Sequence, residues 1–283
     1  MQKRALAVHD ISCVGRCSLT VALPILSAAG VDTSVIPTAL LSTHTGEFTG
    51  YTHLDLTDQL EPIARHIATL GLHFDAFYSG YLASAKQTSI VLSMIETLCD
   101  PQTLIFVDPA FADHGKIYSL LDAAMPAKMR ILCARAHTIV PNLTEAAFLL
   151  NTPYRAENYD ATYIRSLAEG LAAIGPECVV ITDVSLSDDQ TGIAVYRKSD
   201  QFFQMLFRPK FAGVFHGTGD VFASFLLSAL LGGLPLEDAA SLALSCVHES
   251  IRDTLQSGEP LRYGVQFERI LPMLIKALPD QAE

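Results

Sequence analysis

Short apolar runs rich in β-branched and aromatic residues alternate with longer amphipathic stretches along almost the whole chain. The run "RALAVHD" at residues 4–10 is followed by the helical pattern "SLTVALPILSAAG" at residues 18–30. The runs "TLIFVDPA" and "CVVITD", at residues 103–110 and 178–183, are nearly continuous in apolar character. Such runs predict strands that are buried on both faces. We therefore predict an α/β fold, a three-layer α/β/α sandwich whose central sheet is mostly parallel.

Two neighbouring runs near residue 200 break this alternation. "GIAVYR" at residues 192–197 and "FQMLFRP" at residues 203–209 are separated only by a polar turn. A connection that short joins antiparallel strands, because a parallel pair needs a long crossover. We therefore expect antiparallel strands at an edge of the sheet. No internal repeat, charged tail or low-complexity linker divides the chain, so residues 1–283 are expected to form one domain.

Composition limits the classes of function. The 283 residues are 50% hydrophobic and carry a formal net charge of -11. Lysine and arginine are scattered, which argues against a nucleic-acid surface. No apolar run approaches the roughly 18 residues of a membrane span, and the start resembles a strand rather than a signal peptide. The six cysteines lack zinc-site spacing and are interpreted as reduced thiols. We expect a cytoplasmic protein with neither a nucleic-acid nor a membrane partner.

A glycine-containing turn precedes an apolar helical pattern in "FHGTGDVFASFLLSALL", residues 215–231. Gly217, Thr218 and Gly219 would present backbone N–H groups at a helix N-terminus, where the helix dipole favours a bound anion. Asp220 follows at once and is itself an anion. It is either a helix cap or an acid with chemistry to perform, and the motif alone leaves both interpretations open.

Polar residues recur where the predicted strands end, which is where ligands bind in sheets of this kind. Asn142 and Glu145 fit either a capping box or oxygen ligands for magnesium, and Asp108 is a second acid at a strand end. His44 is either a surface histidine or part of a flap over the cleft. Tyr81 either packs or stacks on an aromatic ligand. The further candidates are Asp10, Ser12, Thr45, Thr182, Asp183 and His216.

Three common site motifs are absent from the sequence. There is no G-x-x-x-x-G-K-[ST] phosphate loop and no G-x-S-x-G nucleophile elbow. After the first predicted strand, "DISCVGRCS" stands where a G-x-G-x-x-G dinucleotide fingerprint would be needed. A nicotinamide-dependent oxidoreductase is therefore not expected.

Six segments, in order, resemble the vitamin B6 kinases of the ribokinase-like superfamily. "YSGYLAS" and "VPNLTEAAFL" are similar to that family's Ser-Gly-Tyr-Leu and Pro-Asn-x-x-Glu motifs. "GTGD" at residues 217–220 resembles the superfamily's anion hole and catalytic aspartate. The other three segments are "ALAVHDISCVGRCSLTVALPIL", "LLSTHTGEFTG" and "FVDPAFADHG". The resemblance extends over nearly the whole length and implies the ribokinase-like fold.

This resemblance implies ATP-dependent phosphorylation of the 5′-hydroxymethyl group of pyridoxal, pyridoxine or pyridoxamine, with Mg²⁺, by a homodimer. The turn at residues 217–219 would stabilise the transferred phosphoryl group, and Asp220 would take the proton from the alcohol. Substrate binding is expected of Asp10, Ser12, His44, Thr45 and Tyr81. ATP binding is expected of Asp108, Asn142, Glu145, Thr182, Asp183 and His216, with Asp108 and Glu145 also near the metal.

One departure from the family bears on the substrate. Asp10 stands where the family has a serine that contacts the pyridine ring, so we expect pyridoxamine to be used at least as well as pyridoxal. A hydroxymethylpyrimidine kinase is an alternative, because "FHGTG" resembles its signature. Those kinases, however, have cysteine in place of Asp220 and a Gly-Gly-Ala-Gly loop where "VGRCS" stands. A catalytically silent pyridoxal phosphate-binding protein is a third possibility.

Overall fold

A nine-stranded sheet forms the centre of the computed structural model, which describes residues 2–279; Met1 and residues 280–283, at the ends of the expected domain, lie outside the described residues. The strand order is β11-β10-β9-β8-β5-β4-β1-β2-β3. The strands are β1 Arg4–Val14, β2 Asp32–Thr43, β3 His53–Asp55, β4 Ala76–Ser79, β5 Leu104–Val107, β8 Thr138–Ile139, β9 Cys178–Val184, β10 Gln190–Arg197 and β11 Phe202–Pro209. A separate hairpin pairs β6 Ala112–Asp113 with β7 Lys116–Ile117.

The six strands from β9 to β2 run parallel, whereas β3 on one edge and β10 and β11 on the other are antiparallel to their neighbours. This arrangement confirms the predicted mostly parallel sheet with antiparallel edge strands. The expected β10–β11 pair is present. Its antiparallel register continues without a shift from Gln190 opposite Pro209 to Arg197 opposite Phe202.

Helices cover both faces of the sheet. Their bounds are α1 Leu19–Ala28, α2 Thr57–Ala68, α3 Ala85–Leu98, α4 Met125–Cys133, α5 Leu143–Leu149, α6 Ala161–Ile174, α7 Thr218–Leu231, α8 Leu236–Ser257 and α9 Leu271–Ala277. Alternate strand side chains enter opposite layers: Ile105 and Val107 pack with α2–α6, and Phe106 packs with α1 and α7–α9. Among residues 2–279, no helix has the length and apolar character needed to cross a membrane.

The first strand differs from its predicted form. β1 extends to Val14, so Asp10 and Ser12 lie within the strand and not after it. The register against β2 shifts between His9 and Ile11, which leaves Asp10 at an irregularity of the kind that redirects side chains near active sites. The sequence analysis also missed β3, which is exposed and polar, and the β6–β7 hairpin, whose two-residue strands are too short to carry a pattern.

Candidate active site

The glycine turn before α7 has the backbone form that the sequence predicts. Gly217 has φ 74° and is the N-cap of α7. The first helical bond closes from Val221 N–H to the Gly217 carbonyl over 3.0 Å, so the N–H groups ahead of it have no partner within the helix. Around the Cβ position of Gly219 there is no atom within 4 Å. The turn therefore has N–H donors without a helical partner and an open space at Gly219, the two features that an anion site requires.

Asp220 lies in the first turn of α7, and the segment between β1 and α1 fixes its carboxylate. The backbone N–H of Ser18 donates to Asp220 Oδ2 over 2.9 Å. Burial raises the pKa of Asp220 to about 7, and the nearby Asp10 acts in the same direction, whereas the Ser18 hydrogen bond opposes the change. A carboxyl group with a pKa near neutrality is well matched to accept a proton from an alcohol during phosphoryl transfer.

Asp10 is 5% exposed and incompletely paired. The Ser12 hydroxyl donates to its Oδ2 over 3.4 Å, while Oδ1 has no hydrogen-bond partner. The Ser18 hydroxyl also interacts with this carboxylate, and both hydroxyls favour its ionised form. Burial outweighs them and raises the pKa of Asp10 to about 6. A buried acceptor without a partner is costly, so a donor group on a bound ligand would be favoured here.

Asn142 and Glu145 form a capping box at the start of α5. The Glu145 N–H donates to Asn142 Oδ1, and the Asn142 N–H donates to Glu145 Oε2, each over 2.9 Å. Glu145 Oε1 also accepts from the N–H groups of Phe111 at 2.9 Å and Ala112 at 3.3 Å. The capping interpretation of these two residues is confirmed, and the metal role of Glu145 remains a prediction.

Asp108 follows β5 and is buried close to Glu145. Burial, followed by the charge of Glu145, raises the pKa of Asp108 well above its usual range. Burial also raises the pKa of Glu145 to about 8, although three backbone donors favour its ionised form. These two desolvated acids oppose each other's ionisation. A bound cation would offset the repulsion between their carboxylates.

The described residues contain no cluster of three or more His, Cys, Asp or Glu side chains able to hold a metal by themselves. Mg²⁺ does not need one, because it commonly takes one or two carboxylates and completes its shell with phosphate oxygens and water. The paired acids at Asp108 and Glu145 fit that role.

Thr182 and Asp183, both in β9, lie on the side of the site expected to bind nucleotide. Thr182 N–H donates to the Pro141 carbonyl over 2.9 Å and forms a bridge with Asn142. Asp183 has φ 58°, uncommon for a residue with a side chain, and burial together with Asp113 raises its pKa. The structure thus brings Thr182 next to Asn142 and sets Asp183 against the β6–β7 hairpin.

Both ring nitrogens of His44 are engaged by backbone groups. Nε2 lies 2.6 Å from the Arg262 carbonyl oxygen, and Nδ1 accepts from Gly46 N–H over 3.1 Å. This arrangement requires the tautomer with the proton on Nε2. A direct hydrogen bond from His44 to a substrate, as the sequence analysis expects, would have to replace one of these contacts. The ring instead holds the segment after β2 against the C-terminal part of the chain.

His216 lies beside this segment. Its ring centroid is 5.0 Å from that of His44, and its Nε2 is 3.5 Å from Glu47 Oε2. Phe48 packs on the ring of Tyr263 with centroids 5.6 Å apart. Thr45 is exposed. Residues 44–50 therefore contact the glycine-turn segment through His216, and their predicted role as a flap over the cleft remains a prediction.

Tyr81 is part-buried and packs with Ala39, Leu41 and Ala83. Burial raises the pKa of its hydroxyl, and the charge of Asp10 is the next largest contribution in the same direction. The packing interpretation of Tyr81 is confirmed, and its role in substrate binding remains a prediction.

The sequence analysis missed Ser18 and Cys17, which contribute to this site. Ser18 precedes an apolar helix and would be interpreted from sequence as an N-cap, yet its side chain makes no capping hydrogen bond. Cys17 is buried next to Asp220 and Asp10, and burial raises the pKa of its thiol. All six cysteines are free thiols, as expected.

Known proteins are similar to this chain in sequence and in structure. The family model for phosphomethylpyrimidine kinase matches residues 23–263. A pyridoxine/pyridoxal/pyridoxamine kinase from Bordetella avium is 28% identical over 241 residues, which cover 80% of this chain and 76% of the relative. The crystal structure of pyridoxal kinase from Lactobacillus plantarum matches with a TM-score of 0.88 and 30% identity over 97% of each chain.

A second crystal structure adds a ligand to the comparison. It is a Bacteroides thetaiotaomicron protein named for phosphomethylpyrimidine kinases, in a crystal form with pyridoxal. It is 36% identical to this chain with a TM-score of 0.93, and the match covers 100% of this chain and 98% of the other.

The sandwich fold with a glycine turn at the start of α7 defines an α/β kinase of the ribokinase-like superfamily, as the sequence motifs predict. Within that class, the chain belongs to the phosphomethylpyrimidine kinase family, in which it is similar to the vitamin B6 kinases.

Proposed function

We propose that the chain transfers the γ-phosphoryl group of ATP to the 5′-hydroxymethyl group of a B6 vitamer: pyridoxal, pyridoxine or pyridoxamine. The observation that carries this proposal is the position of Asp220. Its carboxylate accepts from Ser18 N–H, on the β1 side of the site, while the N–H groups of the turn have no partner within the helix and the space at the Cβ position of Gly219 is open. We propose that this anion faces the alcohol and that the donors face the phosphoryl group.

In the proposed reaction, each group of site residues has one role. Asp220 takes the proton of the primary hydroxyl as its oxygen attacks phosphorus. The backbone donors of residues 217–219 stabilise the charge on the transferred phosphoryl oxygens. Asp10, Ser12 and Tyr81 are proposed to bind the vitamer ring, with Thr45 and His44 in the flap above it. Closure of the flap would exclude water from the transfer step.

Nucleotide and metal are proposed to bind on the opposite side of Asp220. Asn142, Thr182, Asp183 and His216 would contact ATP. Asp108 and Glu145 would hold Mg²⁺, which neutralises phosphate charge when bound. Support for the metal comes from the buried pair of acids, whose mutual repulsion a cation removes.

The family match favours one further candidate, hydroxymethylpyrimidine, because the matching family model is that of phosphomethylpyrimidine kinases. Both candidate rings are aromatic and carry a primary alcohol, so the chemistry at Asp220 would be the same. The B6 vitamers are preferred as substrates because the relatives from Bordetella avium and Lactobacillus plantarum are named for them.

A kinase assay with the purified protein, ATP and Mg²⁺ tests the proposal across pyridoxal, pyridoxine, pyridoxamine and hydroxymethylpyrimidine. We expect a larger kcat/KM for at least one B6 vitamer than for the pyrimidine. The opposite order would assign the protein to the alternative. ADP formation that is independent of every alcohol would exclude both kinase proposals, and the absence of any ADP formation would exclude them and favour a silent binding protein.

We also propose that residues 1–283 act as one kinase domain, that two copies form a homodimer, and that the enzyme works in the cytoplasm. The support is the resemblance to vitamin B6 kinases along most of the chain. Light scattering of the purified protein would test the dimer, with a mass of about one 30.6 kDa chain as the contradicting result.

A further inference from the structure

Gln87, in the first turn of α3, is a completely buried amide with a partner for each of its polar atoms. The residue is 0% exposed. Its Oε1 accepts from the Ala83 N–H over 2.8 Å. Its Nε2 donates to the Thr38 carbonyl oxygen over 2.9 Å, and it lies 3.0 Å from both Asp55 Oδ1 and Thr57 Oγ1. A buried amide without such partners would be destabilising, so this network selects a side chain with both a donor and an acceptor.

A helix cap explains only part of this arrangement. Ser84 is the N-cap of α3, and its hydroxyl accepts from the Gln87 N–H over 3.4 Å. The spacing Ser-x-x-Gln is that of a capping box, in which the glutamine side chain accepts from the N-cap N–H. Gln87 instead accepts from Ala83, one residue earlier, and its Nε2 lies beside three acceptors outside α3. Capping accounts for none of those three contacts.

The Tyr81 loop, residues 80–84 between β4 and α3, is held by two side chains. The Ala83 N–H donates to Gln87, and the Tyr81 carbonyl accepts from Thr38 Oγ1 over 3.0 Å. The ring of Tyr81 packs on three apolar side chains, those of Ala39, Leu41 and Ala83. The position of this ring therefore depends on how the loop is attached to β2.

The Gln87 amide also contacts the two strands that flank residues 44–52. Thr38 belongs to β2 and Asp55 to β3, which is three residues long and pairs with β2. The Asp55 carboxylate is itself fixed by a backbone N–H donor at the start of α2, 2.8 Å from Oδ1. Because residues 44–52 connect β2 to β3, Gln87 joins both ends of this segment to the Tyr81 loop.

We propose that Gln87 is a positioning residue that attaches the Tyr81 loop to β2 and β3 and so fixes the ring of Tyr81 relative to residues 44–52. The inference rests on the proposed function, in which Tyr81 and residues of that segment bind the vitamer. A vitamer ring that binds between two elements already fixed to each other orders less of the protein on binding. Loss of the link should therefore weaken vitamer binding. ATP binding should not change, because Gln87 contacts none of the residues proposed to bind nucleotide.

The experiment compares Gln87→Met and Gln87→Glu with Thr88→Val. Thr88 is also buried in α3, but its hydroxyl donates to the Ala85 carbonyl of the same helix over 2.7 Å. Gln87→Met loses the whole network, whereas Gln87→Glu keeps an acceptor for Ala83 and loses the Nε2 donors. We expect KM for the vitamer to rise about tenfold in both Gln87 variants, as for a lost buried hydrogen bond, with KM for ATP unchanged. Thr88→Val should keep both KM values. Lower thermal stability with unchanged KM values in the Gln87 variants would mean that Gln87 only supports the fold.

A double-mutant cycle with Tyr81→Ala identifies the residue through which Gln87 acts. If Gln87 positions Tyr81, adding Gln87→Glu to Tyr81→Ala should raise KM for the vitamer little beyond the value of Tyr81→Ala alone. Two effects that combine in full would overturn the proposal.

A readout that needs no substrate distinguishes this proposal from the proposed function. The Ala83 N–H should exchange with solvent at least about tenfold faster in Gln87→Met than in the wild type, because its buried acceptor is lost. Unchanged exchange at Ala83 would reject the role of Gln87 even in an active kinase. Faster exchange in a protein that phosphorylates no vitamer would keep the link and reject the proposed function alone.

The pH dependence of Gln87→Glu tests the role of the Nε2 donors without relying on the less conservative variant. A protonated carboxyl group offers one donor and one acceptor, as the amide does, whereas a carboxylate offers only acceptors toward the Thr38 carbonyl and Asp55. The melting temperature of Gln87→Glu relative to that of the wild type should therefore rise as pH falls from about 8 to about 5. A difference that does not change with pH would overturn the donor role.

Discussion

Gly217 lies so close to the carbonyl oxygen of Arg16 that a Cβ at this glycine would be 2.0 Å from that oxygen. The contact joins the turn before α7 to the loop after β1, so the anion site and the substrate side of the cleft are built against each other. Gly219, two residues later, has no atom within 4 Å of its Cβ position. The two glycines are therefore needed for different reasons.

The variants Gly217→Ala and Gly219→Ala should distinguish the need for close backbone contact at residue 217 from the need for open space at residue 219. Gly217→Ala adds a clash and a strained φ of 74°, so it should lower the melting temperature and the activity together. Gly219→Ala should leave the melting temperature within about 2 °C, the effect of roughly 1 kcal/mol in a domain of this size, but lower kcat by filling the phosphoryl space. Thermal melts and steady-state kinetics measure both. Full activity in Gly219→Ala would show that its open space is not the phosphoryl site.

Asp220→Asn should reduce kcat by a factor on the order of 10² to 10⁴, because general-base catalysis contributes about that much. The amide oxygen can still accept from Ser18 N–H, so the fold and ATP affinity should change little. Calorimetric ATP binding and single-turnover rates provide the measurements. If kcat stays near that of the wild type, Asp220 is only a residue of the helix start.

Local patterns account for what the sequence could predict. The alternation of apolar runs predicts the sheet and its layers, and the pair at Asn142 and Glu145 predicts the capping box that the structure contains. The contact of Ser18 with Asp220 joins residues 202 positions apart, and no periodicity or motif records it. The irregularity at Asp10 is equally hidden, because a strand bulge depends on the register of its neighbour and not on its own residues.

Asp108→Asn should raise the Mg²⁺ concentration that gives half-maximal rate, since a metal-binding carboxylate is lost. Its melting temperature should hold or rise, because a buried repulsion with Glu145 is removed. Glu145→Gln should also raise the Mg²⁺ requirement but lower the melting temperature, because Glu145 accepts from three backbone N–H groups. Magnesium titrations at saturating ATP measure the Mg²⁺ concentration that gives the half-maximal rate. An unchanged titration in both variants would remove these acids from the metal site.

Asp10→Ser should shift the kcat/KM ratio of pyridoxamine to pyridoxal toward pyridoxal. A carboxylate can pair with a protonated amine, whereas an aldehyde offers only an acceptor oxygen. Since a charge-assisted contact contributes roughly 1.5–3 kcal/mol, the ratio should change more than tenfold. Competition assays with both vitamers measure it, with Cys13→Ser, an exposed position of β1, as the control. The same ratio in Asp10→Ser and wild type would mean that Asp10 does not contact the group that distinguishes the two vitamers.

The unliganded protein should lose stability as pH rises from 3.8 to about 7. Burial raises the pKa of Asp220 from 3.8 to about 7, so between these values the folded state holds a proton that the unfolded state has released. Stability therefore falls through this window and levels off above it. Asp220→Asn removes the part of this dependence that Asp220 contributes, so the melting temperature of the variant relative to that of the wild type should be at least about 2 °C higher near pH 8.5 than near pH 4. Asp10 and Glu145, whose pKa values burial also raises, keep their own part of the dependence in both proteins. Melts without ATP and with EDTA test this, and parallel curves for the two proteins at both pH values would contradict a raised pKa at Asp220.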